Sequence, residues 1–156
     1  MVPPIVSTTG TTISITIRGG SRSNVVAAEA EGEIDVRFST EAEANDIERI
    51  LSNLQPIDDR TRVFVSGGIN RPPLERTEAV VQLFETARQI AASLGFELGE
   101  TQVGGASDGN FLASMGIPVL DGLGISGDGA HAVHEHIEAN DIPRRAALIA
   151  GLLLSV

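Results

Sequence analysis

Isoleucines at 13, 15 and 17 alternate with Ser14, Thr16 and Arg18, so residues 11–18 are predicted to form a strand with one wet face. A Gly-rich turn, Gly19 to Asn24, leads to a second alternating stretch within 25–38. There Ile34, Val36 and Phe38 face one way and Asp35 and Arg37 the other. Thr40 and Glu43 make a T-x-x-E capping box opening a helix to about Leu54, with Ile47, Ile50, Leu51 and Leu54 on one face. Gln55-Pro56 stops it. Residues 61–66 read as a third strand, ended by Gly67-Gly68. This β-β-α-β order predicts an α+β layer, an antiparallel sheet with a helix on one face.

The texture changes after Arg71-Pro72-Pro73. Residues 76–94 carry Val80, Leu83, Phe84, Ala87, Ile90, Ala91 and Leu94 on one helical stripe, with Gly95 placed as its stop. Short strands are predicted near 97–103 and at 117–120, the second one buried, with a loop and a short helix to Met115 between them. A Gly- and His-rich loop from Gly122 to Glu138 precedes a last helix, Asp141 to Leu154, with Pro143 in its first turn. The α-β-α-β-α order predicts an α/β segment. Its two short strands make a poor core by themselves, which points to a piece of something larger or to pairing with another chain. The division falls near residues 68–75, giving parts 1–68 and 69–156.

Composition narrows the chemistry. With 156 residues and 42% hydrophobic side chains the chain has enough apolar material for a packed domain. Eleven basic against 21 acidic residues give a net charge of −10, and the aromatics are five phenylalanines. This argues against a nucleic-acid or anionic-membrane partner, which needs a basic face, and against base-stacking platforms. The absence of cysteine removes disulfides, thiol nucleophiles and Cys-based zinc sites. Met1-Val2-Pro3-Pro4-Ile5 has neither the basic nor the apolar region of a signal peptide. The apolar run Ala146 to Leu154 is far short of the ~20 residues of a membrane span. A soluble, cytoplasmic protein is therefore expected.

Gly122 to Gly127 matches G-x-G-x-x-G, but a loop, Asp128 to His131, follows where a dinucleotide site needs a helix. Gly105-Ala106-Ser107-Asp108-Gly109 matches G-x-S-x-G, with Asp121, Asp128 and His131 in hydrolase order. The residues before it, 97–103, are too polar for the central strand of a nucleophile elbow. His131, His134 and His136, all the histidines of the chain, lie within six residues. A solvated loop is the plain alternative to a metal ligand, and one ligand from here with the others from elsewhere is the easiest geometry. Arg37 and Arg71 are surface charges or guanidinia aimed at a substrate carboxylate. Pro72-Pro73 stiffens the backbone that carries Arg71. Asn24 is a turn residue or an amide donor.

Six segments together resemble the M20 family of di-zinc metallopeptidases of the glutamate carboxypeptidase type. They are Gly20-Ser21-Arg22-Ser23-Asn24-Val25-Val26; Glu33-Ile34-Asp35-Val36-Arg37; Gly67-Gly68-Ile69-Asn70-Arg71-Pro72-Pro73-Leu74-Glu75; Gly104-Gly105-Ala106-Ser107-Asp108-Gly109; Met115-Gly116-Ile117-Pro118-Val119; and Gly129-Ala130-His131. The resemblance is to the second half of such enzymes, and it implies an incomplete fragment of a larger two-domain α/β hydrolase of the zinc-peptidase type. It implies that 1–68 is the later part of a lid or dimerisation domain and 69–156 the C-terminal part of the zinc-binding catalytic domain. It implies His131 as the last metal ligand. Asn24, Arg37, Arg71, Gly105, Ser107 and Asp108 would lie around the substrate, the arginines on its carboxylate.

The family's H-x-D pair, bridging Asp, Glu-Glu pair and remaining acid ligand have no match in this sequence. No catalytic residue proper is therefore expected here, and the two zinc ions of the complete enzyme should not bind tightly to this chain alone. The implied reaction is zinc-assisted hydrolysis of an amide or peptide bond in a carboxylate-bearing peptide or acyl amino acid. The implied partners are the N-terminal half of the enzyme and a second copy through the lid. The alternative is a non-catalytic dimerisation or substrate-docking module.

Overall fold

A computed structural model describes residues 12–155. The stretch Met1–Ile5, residue 11 of the first predicted strand and Val156 lie outside the described residues. The chain divides into two units: the described residues through Pro73 together with Thr101–Ala106, and Leu74–Glu100 together with the residues from Ser107 on.

In the first unit β1 (Thr12–Gly19) pairs antiparallel with β2 (Ala30–Arg37). The register sets Ile13 opposite Val36, Ile15 opposite Ile34 and Ile17 opposite Gly32, so the alternation predicted from the sequence puts the apolar positions on one face. That face is open. Ile15 is 58% and Ile17 74% exposed, so the helix expected on one side of the sheet does not cover it among the described residues. Helix α1 (Glu41–Ser52) starts with the predicted capping box. The Thr40 hydroxyl accepts from the Glu43 amide at 3.2 Å, and Glu43 Oε2 accepts from the Thr40 amide at 3.2 Å and the Ser39 amide at 2.8 Å.

The third strand predicted over 61–66 is not formed. The segment carries no ladder, and Phe64 is 87% exposed. Strand-favouring residues alone do not make a strand; the segment needs the backbone of another segment to pair with, and no such ladder forms among the described residues.

In the second unit α2 (Glu78–Ser93) packs against α4 (Ile142–Leu153). Ala87, Ala91, Leu148 and Leu152 form the buried centre, with Ile90, Phe96, Leu98, Leu120 and Leu123 around it. Gly95 ends α2 as predicted, at φ 82°. The Phe96 amide reaches back to the Ala91 carbonyl and the Gly95 amide to that of Ala92, a Schellman motif that satisfies the last turn. A 3₁₀ turn, Ala139–Asp141, leads into α4, and Pro143 lies in its first turn.

The strands predicted near 97–103 and at 117–120 are likewise absent. Leu98 and Leu120 instead lay apolar side chains along the helix pair, while Ile117 stays exposed. The short helix α3 (Gly109–Ser114) and the two-residue strands β3 (Gly127–Asp128) and β4 (His136–Ile137) complete the unit. No helix among the described residues is long and apolar enough to cross a membrane.

Candidate functional site

The predicted Gly- and His-rich loop is a closed hairpin. Gly127 pairs with Ile137 and Asp128 with His136, antiparallel. At its tip the Ala132 amide donates to the Gly129 carbonyl at 2.8 Å and the Glu135 amide to the Ala132 carbonyl at 3.1 Å. His131 is the third residue of the first of these turns and has φ 67°, the one positive φ of a non-glycine among the described residues. That position favours glycine or asparagine; for histidine it costs about 1–2 kcal/mol and survives where the surroundings over-determine it. The imidazole is exposed.

Gly127 and Gly129 do not clear open space around His131. A Cβ on Gly127 would collide with the His136 carbonyl oxygen, and one on Gly129 would stand 2.7 Å from the His134 ring. The two glycines admit the returning strand. His136 Nδ1 lies 3.1 Å from the His134 carbonyl, which receives its proton when that nitrogen carries one. The three histidines therefore do not converge, and no group of three His, Asp or Glu side chains that could hold a metal exists among the described residues. His131 is one donor where a zinc site needs three or four, so these residues do not by themselves fit a zinc centre.

The base of the hairpin is tied to α4 by Asp141, which is 4% exposed. Asp141 Oδ2 accepts from the Ser126 hydroxyl at 2.6 Å, the Ser126 amide at 3.2 Å and Arg145 Nε at 3.0 Å. Its Oδ1 accepts from Arg144 Nε at 2.6 Å. The Ser126 hydroxyl bond, with the two guanidinia, holds this carboxyl well below the usual aspartate range against the opposing effect of burial. Sequence reasoning missed Asp141 and Ser126. The available signal was Asp141 followed three and four residues on by Arg144 and Arg145, which places all three on one helical face.

The predicted substrate residues are distributed over both units: Asn24, Arg37, Arg71 and Gly105 in the first, Ser107 and Asp108 in the second with His131. Asn24 is exposed in the turn before β2, and Arg71 is half-buried. Arg37 Nη1 donates to the Gly104 carbonyl at 2.8 Å, with Asp35 3.6 Å from its other terminal nitrogen. The guanidinium thus holds the loop that carries Gly105. A side chain at Gly105 would meet nothing within 4 Å, so no close contact demands glycine there.

Ser107 is fastened into the start of α3. Its amide donates to the buried Asn110 side chain at 2.9 Å, and its hydroxyl accepts from the Gly109 amide at 3.1 Å. A Cβ at Gly109 would be tight, 3.0 Å from Val119 Cγ1 and 3.1 Å from the Ser107 hydroxyl, so Val119 or Ser107 would have to shift by a few tenths of an ångström. No strand precedes Ser107 and its φ is not positive, so this is not the strained strand-to-helix elbow of a serine hydrolase. Asp108, exposed, precedes α3 without capping it by its side chain. No helix opens at Gly127, which removes the dinucleotide reading.

The chain is 28% identical over 145 residues to carboxypeptidase G2 of a Pseudomonas species, covering 89% of this chain and 34% of that protein. It is 31% identical over 146 residues to the succinyl-diaminopimelate desuccinylase of Methylococcus capsulatus, covering 90% and 37%. To the enzyme of that name from Alkalilimnicola ehrlichii it is 29% identical over 142 residues, covering 86% and 35%. The chain spans about a third of the length of each of these relatives. The model of peptidase family M20/M25/M40 matches residues 7–155, nearly the whole sequence, and the chain belongs to that family.

Proposed function

We propose that this chain is the C-terminal portion of a zinc-dependent hydrolase that cleaves an amide or peptide bond in a carboxylate-bearing substrate. The observation that carries the reading is His131: an exposed imidazole held at φ 67° on the tip of a closed hairpin, in a chain of the M20/M25/M40 family. In this reading His131 is one ligand of a metal centre whose other donors come from residues outside those described. Asn24, Arg37 and Arg71 approach the substrate. Arg71 grips its carboxylate, and Arg37 holds Gly104, where the segment that lines the substrate begins. The relatives' names, a carboxypeptidase and desuccinylases, support a peptide or an acylated amino acid as substrate.

The chain combined with the N-terminal part of such an enzyme and zinc should hydrolyse acyl amino acids. In that assembly His131→Ala should abolish tight binding of one zinc and most activity, with His134→Ala and His136→Ala mild. The chain alone should bind no zinc at micromolar concentrations. Stoichiometric zinc binding by the chain alone, lost on mutating His134 or His136, would overturn the assignment. The second reading, a dimerisation or docking module, draws on the open apolar face of β1 and β2, which suits a second copy. A concentration-independent monomer in sedimentation would remove it.

A further inference from the structure

We propose that Asp141 is a positioning residue for His131: from the buried start of α4 it grips Ser126, and through Ser126 it fixes the hairpin whose tip carries the exposed imidazole. The proposal rests on the reading of His131 as a metal ligand, but its geometry stands without a metal.

Asp141 occupies the N-cap position of α4 yet its carboxylate makes no capping hydrogen bond to the helix. A carboxylate there ordinarily accepts from the first-turn amides. Here both oxygens are spent on Ser126, Arg144 and Arg145. Ser126 is held at every polar group. Its hydroxyl donates to Asp141 Oδ2 at 2.6 Å and accepts from Arg145 Nη2 at 3.1 Å. Its amide donates to Asp141, and its carbonyl accepts from the Glu138 amide at 2.7 Å.

The next residue, Gly127, opens the hairpin. A ladder of two residues per strand is too short to hold its own register. The strained turn at its tip therefore needs an external anchor. Going outward, the anchor is Asp141 on Ser126, then the close passage of Gly127 under the His136 carbonyl, then the His134 ring over Gly129. Each contact fixes the next, and the last fixes the turn in which His131 lies. A merely structural role for Asp141, stabilising the start of α4, would leave the tip untouched.

The test uses the metal-free, isotope-labelled chain. A positive φ brings the His131 amide proton close to its own Hα, giving a strong intraresidue cross-peak that an ordinary φ does not. In Asp141→Asn this peak should fall to the strength of ordinary residues. The amides of Ala132 and Glu138 should exchange about tenfold faster, while those of Ala91 and Leu148 in the helix pair keep their protection. Ser126→Ala keeps the buried carboxylate with both arginines and should show the same pattern more weakly. If Asp141→Asn unfolds the chain, Ser126→Ala decides by the same readouts.

A retained His131 cross-peak with Ala132 still protected overturns the proposal. So does loss of protection in α2 and α4 with none at Ala132. Because no zinc enters the experiment, failure of the metal reading is seen separately, as full activity of the His131→Ala enzyme.

Discussion

Replacing Gly151 by alanine sets two effects of known size against each other. Gly151 lies inside α4, where alanine is favoured over glycine by about 1 kcal/mol. The added Cβ, however, would stand 2.7 Å from Ile90 Cγ2 on α2, with Ile90 Cδ1 at 3.6 Å. To restore an ordinary contact of 3.4 Å the Ile90 methyl must retreat by about 0.7 Å. Cγ2 is the stiff branch of a β-branched residue whose χ1 is fixed within a helix, so it cannot swing aside as a flexible side-chain end would. Ile90 packs against the buried cluster of Ala87, Ala91, Leu148 and Leu152, so relief of the clash falls to a separation of the helices. Overpacking of this kind costs about 1–3 kcal/mol, and the larger part of that range exceeds the propensity gain.

The expected result is a net destabilisation of about 1 kcal/mol, read in urea as a fall in midpoint of about 0.3–1 M with an unchanged slope. In an Ile90→Ala background the same substitution should turn stabilising, because the clash is gone and the propensity remains. The two effects then appear as a coupling energy between the sites. A Gly151→Ala chain that is more stable by about 1 kcal/mol, equally so in both backgrounds, would refute the packing of α2 on α4 described above.

Leu148→Ala removes the largest fully buried side chain among the described residues and should cost about 2–5 kcal/mol, measured by the same denaturation. Thr40→Ala removes the hydroxyl of the capping box and should destabilise α1 by about 1 kcal/mol, seen as faster exchange of the Glu43 amide. The Asp141 carboxyl titrates below its unfolded value of 3.8, so its contribution is present above that pH and lost as pH falls below it. Asp141→Asn should flatten this acid limb of the stability profile. In the assembled enzyme Arg71→Ala should raise KM for carboxylate substrates by the worth of a charged hydrogen bond, about 1.5–3 kcal/mol. Equal activity on an amidated substrate before and after the mutation would remove Arg71 from that role.

The elements legible in the sequence are those whose hydrogen bonds close within a few residues. The capping box at Thr40 and Glu43, the stripe of α2, its stop at Gly95 and the first-turn Pro143 of α4 are all local. A helix bonds residue i to i−4, so the pattern that predicts it also contains its partners. The β1–β2 pair was legible for a related reason: both strands and the turn between them lie within 26 residues, Thr12 to Arg37. The strands predicted at 61–66, 97–103 and 117–120 had the right residues but no partner backbone among those described, and strand pairing is not a local property.

The M20 motifs placed His131 at a site on resemblance. Only the tertiary structure showed the imidazole at a positive φ, with Gly127 and Gly129 admitting the returning strand rather than clearing space. It also turned Arg37 onto the Gly104 carbonyl and buried Asp141 against Ser126, 15 residues away in the chain. A side chain's partner across such a distance depends on how the backbone returns, and residue spacing by itself does not encode that return.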